Sequence, residues 1–202
     1  MREYSAVVFD LGQVILPFTY DNFINSLNQR KSGLGDEFIK KYNQNYHIHR
    51  DFERGKISEQ DFIDLMLNWL DNKLTASEFC EGWSNIFSVN EKVVSLLPKL
   101  KEKYKLYLLS NTNSIHRKYG YNHYEFLREF DKIFLSYEIG YVKPEIEIYK
   151  AVEKYSGLPA DRLIFIDDIP DYVNAAKSLG WDGINFTNYE NLMEELKIRN
   201  II

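Results

Sequence analysis

The apolar positions of the chain follow two periods, one typical of buried strands and one typical of helices. Short runs rich in apolar residues occur at residues 6–9, 106–109, 132–136, 163–166 and 183–186. Runs of this length are typical of strands that are buried on both faces of a sheet. Helical stripes lie between and after them, over residues 91–104, 144–157, 171–179 and 188–197. Strands that alternate with helices predict an α/β fold with a doubly wound, mostly parallel sheet.

Two prolines bear on the boundaries of these helices. Pro98 interrupts the stripe over residues 91–104 and disfavours a continuous helix there. Pro144 suits the first position of a helix, and Glu145 and Glu147 suit its positively polarised first turn. We therefore expect a helix to begin at Pro144.

The middle of the chain has helical patterns and few strand-like runs. Helices are predicted over residues 20–27, 36–46 and 75–83, and another is predicted to begin at residue 58. Ser58 and Thr75 are placed to cap the last two of them. Four short helices inserted after the first strand are expected to cover the carboxyl edge of the sheet. The predicted domains are thus a core of residues 1–16 and 89–202 and a helical cap of residues 17–88.

Composition narrows the class of protein. The chain has 202 residues, of which 45% are apolar and 15% aromatic, so it can bury the core of an ordinary globular protein. Its net charge of -5 argues against nucleic acid or an anionic membrane as the main partner. The single cysteine, Cys80, excludes an internal disulfide and suits a reducing compartment. Without a signal-like or membrane-spanning apolar stretch, the expected location is the cytoplasm.

Carboxylates follow two apolar runs that are far apart in the chain. Asp10 comes directly after residues 6–9, and Asp167 and Asp168 come at the end of the run at residues 163–166. The carboxyl ends of strands in an open α/β sheet are where ligands bind. We therefore expect one acidic site that two distant parts of the chain build together.

Three further polar residues take similar places. Ser110 and Asn111 follow the run at residues 106–109, and Lys143 lies in the loop before a predicted helix. Each of them alone has an ordinary interpretation as a turn former or a solvated side chain. Their common position beside predicted strand ends favours a shared site instead.

The residue types in this site permit phosphoryl transfer. Two carboxylates about 4 Å apart repel by roughly 4 kcal/mol at an effective dielectric constant of ~20, so cations must offset them. Lys143 supplies one positive charge, and carboxylate oxygens favour Mg²⁺ as another. A carboxylate is also able to act as a covalent nucleophile and form an acyl phosphate. Mg²⁺, Lys143 and the Ser110 hydroxyl would neutralise the phosphate oxygens.

Four segments of the chain, in this order, resemble the motifs of the haloacid dehalogenase-like superfamily, which consists mostly of phosphatases. The segments are residues 9–14 (FDLGQV), 109–112 (LSNT), 142–149 (VKPEIEIY) and 165–168 (FIDD). Together with residues 52–58 (FERGKIS), they are most similar to the branch that contains bacterial α-D-glucose-1-phosphate phosphatases and the N-terminal phosphatase domain of soluble epoxide hydrolase. The resemblance implies a Rossmann-like core with a four-helix cap inserted after the first strand.

The resemblance also implies roles for particular residues. Asp10 would be the catalytic nucleophile, and Lys143 would orient Asp10 and the phosphate. Ser110 and Asn111 would bind the phosphoryl group. Apart from the resemblance, we expect the cap to supply substrate contacts, with Arg54 as the candidate beside His47, His49 and Arg50, and Asn113 as a further candidate after the second motif.

The implied cofactor is Mg²⁺. It would be held by Asp10, the Gly12 carbonyl and Asp168, with Asp167 bound to it directly or indirectly. Gly12 is a departure from the family pattern, because many of these phosphatases carry a second aspartate there as general acid/base. Such help is worth ~10²–10⁴-fold in rate, so its absence suits a slow enzyme, an activated leaving group or another proton donor.

The leading hypothesis is a Mg²⁺-dependent phosphatase of a small phosphorylated metabolite, with a sugar phosphate favoured, that works through an aspartyl-phosphate intermediate. One alternative is a metal-free 2-haloacid dehalogenase, which the pair of Asp167 and Asp168 argues against. Another is a non-catalytic regulatory or binding protein, which Gly12 motivates. The expected partner is a small phosphate ester, with no nucleic acid and no membrane, and both a monomer and a homodimer stay open.

Overall fold

The computed structural model describes residues 2–202. Its strands are β1 (Ala6–Phe9), β2 (Lys105–Ser110), β3 (Lys132–Leu135), β4 (Leu163–Asp167) and β5 (Asp182–Asn185). Within the described residues they form a five-stranded sheet in the order β3-β2-β1-β4-β5, and each neighbouring pair is parallel. The predicted α/β fold is confirmed.

Helices connect and surround the strands. They are α1 (Asp21–Arg30), α2 (Leu34–Gln44), α3 (Tyr46–Glu53), α4 (Glu59–Trp69), α5 (Ala76–Ser84), α6 (Glu91–Val94), α7 (Leu97–Lys101), α8 (Ser136–Ile139), α9 (Ile146–Ser156), α10 (Pro170–Ser178) and α11 (Tyr189–Ile198). Shorter or irregular helical turns cover His116–Tyr121, Glu125–Glu129 and Ala160–Arg162. None of the helices within residues 2–202 combines the length and apolarity that crossing a membrane requires.

The central strand β1 contributes side chains to two apolar clusters, one on each face of the sheet. Val7 and Phe9 belong to one cluster, and Ala6 and Val8 belong to the other. All four side chains are fully buried. Side chains alternate between the faces of a strand, so four consecutive apolar residues require cover on both sides. The helices on both faces supply it, as a doubly wound sheet requires.

The segment over residues 17–88 forms helices, but it contains five of them, α1 to α5, within the described chain rather than the predicted four. The missed element is α3, which is separated from α2 by Asn45 alone. The predicted caps are confirmed: the Ser58 side chain accepts from the Asp61 N–H, and Thr75 forms a reciprocal capping box with Glu78.

The helices α1 to α5 have an apolar cluster of their own, which includes Phe23, Phe38, Phe62 and Trp83. This separate cluster supports the division of the chain into a core domain and a cap domain. The boundaries of these domains stay a prediction.

The structure corrects the predicted start of one helix. Pro144 does not begin α9, because that helix begins at Ile146 with Glu145 at its N-cap. The Lys143–Pro144 bond lies in the loop before it and is a cis peptide. Pro98 does separate the stripe over residues 91–104 into two helices, and it lies in the first turn of α7.

Candidate active site

The order of the strands creates a crevice beside β1. From β1 the chain builds β2 and β3 on one side of the sheet and then returns to build β4 and β5 on the other. Ligands bind outside the carboxyl ends of the strands where the order reverses in this way. Asp10 follows β1 and Asp167 ends β4, and the Asp10 N–H donates to the Ile166 carbonyl at 2.8 Å. The two acidic segments therefore meet at the reversal point.

Lys143 lies between the two aspartates. Its Nζ donates to Asp10 Oδ1 and to Asp167 Oδ2, each at 2.6 Å, and its side chain is 1% exposed. Burial by itself would lower the pKa of Lys143, but the carboxylates of Asp10 and Asp167 outweigh it and hold the pKa above its ordinary value. The lysine is therefore charged at neutral pH and fixes one oxygen of each aspartate.

The single lysine does not balance the acids around it. Burial raises the pKa of Asp10 to about 7, and the neighbouring Asp167 and Asp168 add to the rise while Lys143 opposes it. Burial and Asp167 also raise the pKa of Asp168. A raised pKa means that burial and the neighbouring acids disfavour the ionised carboxylate, and the three carboxylates share one lysine, so the ionised site has an excess of negative charge.

The acidic residues fit a magnesium ion. One carboxylate oxygen from each of Asp10, Asp167 and Asp168 lies within 4.8 Å of the others, and hard oxygen ligands of this kind suit Mg²⁺. Asp167 is fully buried, and both of its oxygens have partners, since Oδ1 accepts from the Ile169 N–H at 2.8 Å. Asp10 and Asp168 are therefore better placed for direct contact than Asp167. The Gly12 carbonyl accepts from the Val14 N–H at 2.6 Å and keeps a second lone pair.

Two adjoining cavities lie at this edge of the sheet. The first, which we call the reaction cavity, has a volume of about 140 Å³ and is lined by Asp10, Lys143 and Asp168, among others. The second, the aromatic cavity, has a volume of about 230 Å³, and rings make up eight of its seventeen lining residues. The residues that line both cavities are Gly12, Phe18, Tyr46, Glu53 and Asn111.

Asn111 holds the main chain of Lys143 from both sides. Its Oδ1 accepts from the Lys143 N–H at 2.7 Å, and its Nδ2 donates to the Lys143 carbonyl at 3.1 Å. The predicted phosphoryl-binding amide is thus occupied in positioning the lysine. Ser110 lines the aromatic cavity, and its hydroxyl makes a long contact of 3.4 Å with the Asn111 carbonyl, so it keeps capacity for another acceptor.

The arginines at the end of α3 reach across to the loop that carries Lys143. Arg50 lines the reaction cavity, and its Nη2 donates to the Lys143 carbonyl at 2.8 Å. Arg54, a predicted substrate contact, lines neither cavity and pairs instead with Glu145 at 2.6 Å. The structure therefore places Arg54 as a link between the helical segment and the lysine loop.

Asn113, the other predicted substrate contact, is turned away from the site. Its side chain is fully buried, and Oδ1 accepts from the His116 N–H at 2.9 Å. The side chain caps the following helical turn and lines neither cavity. His116 itself lines the aromatic cavity and stacks on Trp83 with ring centroids 4.1 Å apart.

Space explains the glycine at position 12. A Cβ atom on Gly12 would lie 3.1 Å from Cε1 of Phe18 and 3.9 Å from Oδ2 of Asp10. The Phe18 ring therefore closes the region into which a side chain at this position would extend. The second aspartate of the family pattern does not fit here unless the ring moves.

The sequence interpretation missed Phe18, Tyr46 and Glu53 as residues of the site. Tyr46 and Glu53 lie on α3, which was not predicted. The spacing of Tyr46, His49, Arg50 and Glu53 at i, i+3, i+4 and i+7 is the helical pattern that could have revealed this face. Phe18 carried no such signal, because its importance depends on its approach to Gly12.

Known proteins resemble this chain over most of its length. A family model described as haloacid dehalogenase-like hydrolase matches residues 4–180. A D-ribitol-5-phosphate phosphatase of Bacteroides thetaiotaomicron is 28% identical over 200 residues, which cover 95% of this chain and 96% of that protein. A sesquiterpene phosphatase of Aspergillus oryzae is 28% identical and covers 98% and 97% of the two chains.

The fold is also similar to a solved structure with ligands. That structure is a family enzyme of Bacteroides thetaiotaomicron in complex with magnesium and inorganic phosphate. It has a TM-score of 0.80 and 29% identity to this chain, and the match covers 91% of this chain and 94% of the other.

Proposed function

The chain belongs to the haloacid dehalogenase-like hydrolase family, and from this premise we propose that it is a Mg²⁺-dependent phosphatase of a small phosphorylated metabolite, with a phosphorylated sugar or polyol as the favoured class. The observation that carries the proposal is the position of Lys143 between Asp10 and Asp167. Asp168 lies beside them, so the three carboxylates together exceed the charge of the one lysine. The similarity to a ribitol phosphate phosphatase supports the substrate class.

Asp10 is the proposed nucleophile. Lys143 holds Oδ1 of Asp10, so Oδ2 is the oxygen that attacks phosphorus. The new bond joins Oδ2 to phosphorus, while the bond from phosphorus to the ester oxygen breaks and the departing oxygen takes a proton from water. A second water then attacks phosphorus and the bond from phosphorus to Oδ2 breaks, which releases inorganic phosphate and restores the Asp10 carboxylate. The proton that this water loses neutralises the hydroxide left by the first step.

Asp10, Asp168 and the Gly12 carbonyl are the proposed metal ligands. Asp167 would not contact the ion directly, because its two oxygens accept from Lys143 and from the Ile169 N–H. When bound, Mg²⁺ supplies positive charge that lowers the repulsion between the carboxylates and the phosphate oxygens. Lys143 and the Ser110 hydroxyl supply the remaining contacts to the phosphoryl group. The Asn111 amide and Arg50 keep the lysine loop in place.

The charge balance favours this activity over that of a metal-free dehalogenase. Three carboxylates surround one lysine, so an enzyme that works without a metal would leave two of the negative charges poorly compensated. The small phosphate ester as partner follows from the same site. Oligomeric state and a cytoplasmic location stay predictions.

Phosphate release from p-nitrophenyl phosphate and from a panel of sugar and polyol phosphates, with Mg²⁺ and with EDTA, tests the proposal. We expect Mg²⁺-dependent release that Asp10→Asn abolishes, because an amide is a poor nucleophile. Asp171→Asn is the control, since that carboxylate is exposed and lies in the first turn of α10.

Binding of Mg²⁺ by titration calorimetry gives a second readout that does not depend on turnover. Substantial activity of Asp10→Asn would remove Asp10 as nucleophile. Halide release from 2-haloacids in the presence of EDTA would replace the phosphatase proposal with the dehalogenase one.

A further inference from the structure

In the part of the chain that the structure describes, the aromatic cavity has no unpaired cationic side chain in its lining, because the one histidine that faces a carboxylate there, His49, lies 3.2 Å from Glu53. Among residues 2–202, neither a lysine nor an arginine lines it. Burial holds the pKa of His116 well below its usual range, so that imidazole is neutral. The one carboxylate in the lining, Glu53, is bound by His49 at 3.2 Å and by Arg50 at 2.7 Å. A second anionic group that entered this cavity would lose its hydration without gaining a cationic partner.

The walls nevertheless offer polar atoms among the rings. The Tyr20 hydroxyl contacts His116 Nε2 at 3.2 Å, and the Tyr42 hydroxyl contacts His49 Nδ1 at 2.7 Å. Asn43 and Tyr46 also line the cavity, and over residues 2–202 neither side chain makes a hydrogen bond. Their amide and hydroxyl are therefore able to bind the hydroxyl groups of a ligand.

The volume of the aromatic cavity indicates the size of the group that it surrounds. A cavity of about 230 Å³ corresponds to roughly eight water volumes of ~30 Å³ each. It is smaller than the ~300–1,000 Å³ of sites for drug-sized ligands. A sugar ring or a short polyol suits this space, whereas a nucleoside or a long isoprenoid chain would extend out of it into solvent.

We propose, on the basis of the proposed function, that the aromatic cavity receives the leaving group of the substrate. The cavity selects a small, uncharged, hydroxylated carbon skeleton that carries a single phosphate. The ring faces cover its C–H groups, and Asn43 and Tyr46 bind its hydroxyls. The five residues that line both cavities join this space to the reaction cavity, so one molecule spans the two. Bisphosphates and nucleotides are disfavoured, because their second anionic group gains no cationic partner in this cavity.

Asn43 allows a test by gain of function. It is exposed near the carboxyl end of α2, where a lysine is compatible with the helix dipole and with folding. Asn43→Lys brings a cation to the cavity, and Asn43→Met is the matched control with a side chain of similar length and no charge. Tyr46→Phe removes the other unpaired polar group.

The experiment measures kcat/KM with Mg²⁺ for a sugar monophosphate and the bisphosphate of the same sugar, a pentitol phosphate, an isoprenyl monophosphate and p-nitrophenyl phosphate. We expect the sugar and polyol monophosphates to exceed the bisphosphate and the isoprenyl ester by about tenfold or more. Asn43→Lys raises the ratio of bisphosphate to monophosphate about tenfold, and Asn43→Met does not. Tyr46→Phe lowers the ratio of polyol phosphate to p-nitrophenyl phosphate.

Three results would overturn the inference while leaving the phosphatase proposal intact. They are a preference for the bisphosphate, a preference for the isoprenyl ester, and equal shifts in the lysine and methionine variants. Release of phosphate from none of the five compounds would overturn the proposed function, and the inference with it.

Discussion

The contact between Arg50 and the lysine loop makes a sharp prediction about catalysis. Arg50 is 19% exposed, and its guanidinium donates to the Lys143 carbonyl at 2.8 Å and to Glu53 Oε2 at 2.7 Å. Arg50→Gln shortens the side chain and removes both contacts. The Lys143 carbonyl keeps Asn111 as a partner at 3.1 Å, so the loop is loosened rather than released.

The size of the effect follows from the contacts that are lost. A hydrogen bond to a charged group is worth about 1.5–3 kcal/mol. If the contact between Arg50 and Lys143 serves to orient the Lys143 ammonium toward the transition state, the same energy appears as a loss of roughly 10- to 150-fold in kcat/KM. We expect most of the loss in kcat, because Arg50 and Lys143 line the reaction cavity and not the aromatic cavity.

Steady-state kinetics with a small sugar phosphate, together with thermal unfolding of each variant, measures this prediction. Arg54→Gln is the matched control, because Arg54 lies on the same segment but binds Glu145 rather than Lys143. A partly exposed ion pair is worth about 0–1 kcal/mol, so this control should lose less than roughly fivefold. Added guanidinium should restore part of the activity of Arg50→Ala.

The reasoning would be refuted if Arg50→Gln kept the kcat of the wild type while remaining folded. An equal loss in Arg50→Gln and Arg54→Gln would also refute it, because it would show a general effect of loosening the helical segment. A loss confined to KM would place Arg50 in substrate binding instead of in the positioning of Lys143.

Three further predictions concern stability. Lys143→Met leaves two buried carboxylates without their shared partner, so the free energy of unfolding, measured with urea in EDTA, should fall by about 3–5 kcal/mol. Gly12→Ala places a Cβ 3.1 Å from the ring of Phe18, which is 36% exposed and has room to shift, so the free energy of unfolding should change by less than about 1 kcal/mol. Burial alone would raise the pKa of Glu53, but His49 and Arg50 lower this pKa below its ordinary value of 4.5. The ionised Glu53 therefore stabilises the fold above pH 4.5, and this contribution is lost as the pH falls below that value. Acid unfolding curves should therefore show a smaller pH dependence in Glu53→Gln, and an unchanged slope would contradict the assignment.

The chemistry of the strand ends could be predicted from sequence because the signals are local. Four consecutive apolar residues that end in Asp10 indicate a strand buried on both faces, and the same holds for the run that ends in Asp167. Parallel strands place their carboxyl ends at one edge, and the two acids meet at that edge because β1 and β4 are neighbours in the sheet. The caps at Ser58 and Thr75 were predictable for the same reason, since each bond lies within three residues.

The roles of the residues in the helical segment could not be predicted in this way. Arg50 and Arg54 lie four positions apart, yet one lines the reaction cavity and the other pairs with Glu145. Which of them faces the site depends on where α3 crosses the sheet edge, and α3 itself was missed. Asn113 follows a motif of the site but points inward to cap a turn, which its position in the chain does not reveal.

The sequence by itself determined the class of fold, the acidic strand ends and the family resemblance, because these depend on neighbouring residues and on a repeated order of motifs. Only the tertiary structure decided that Lys143 bridges Asp10 and Asp167, that the Asn111 side chain holds the main chain of this lysine, and that Phe18 fills the place of a second acid. The physical reason is that these contacts join segments up to 133 positions apart, and their geometry depends on how the helices pack around the sheet.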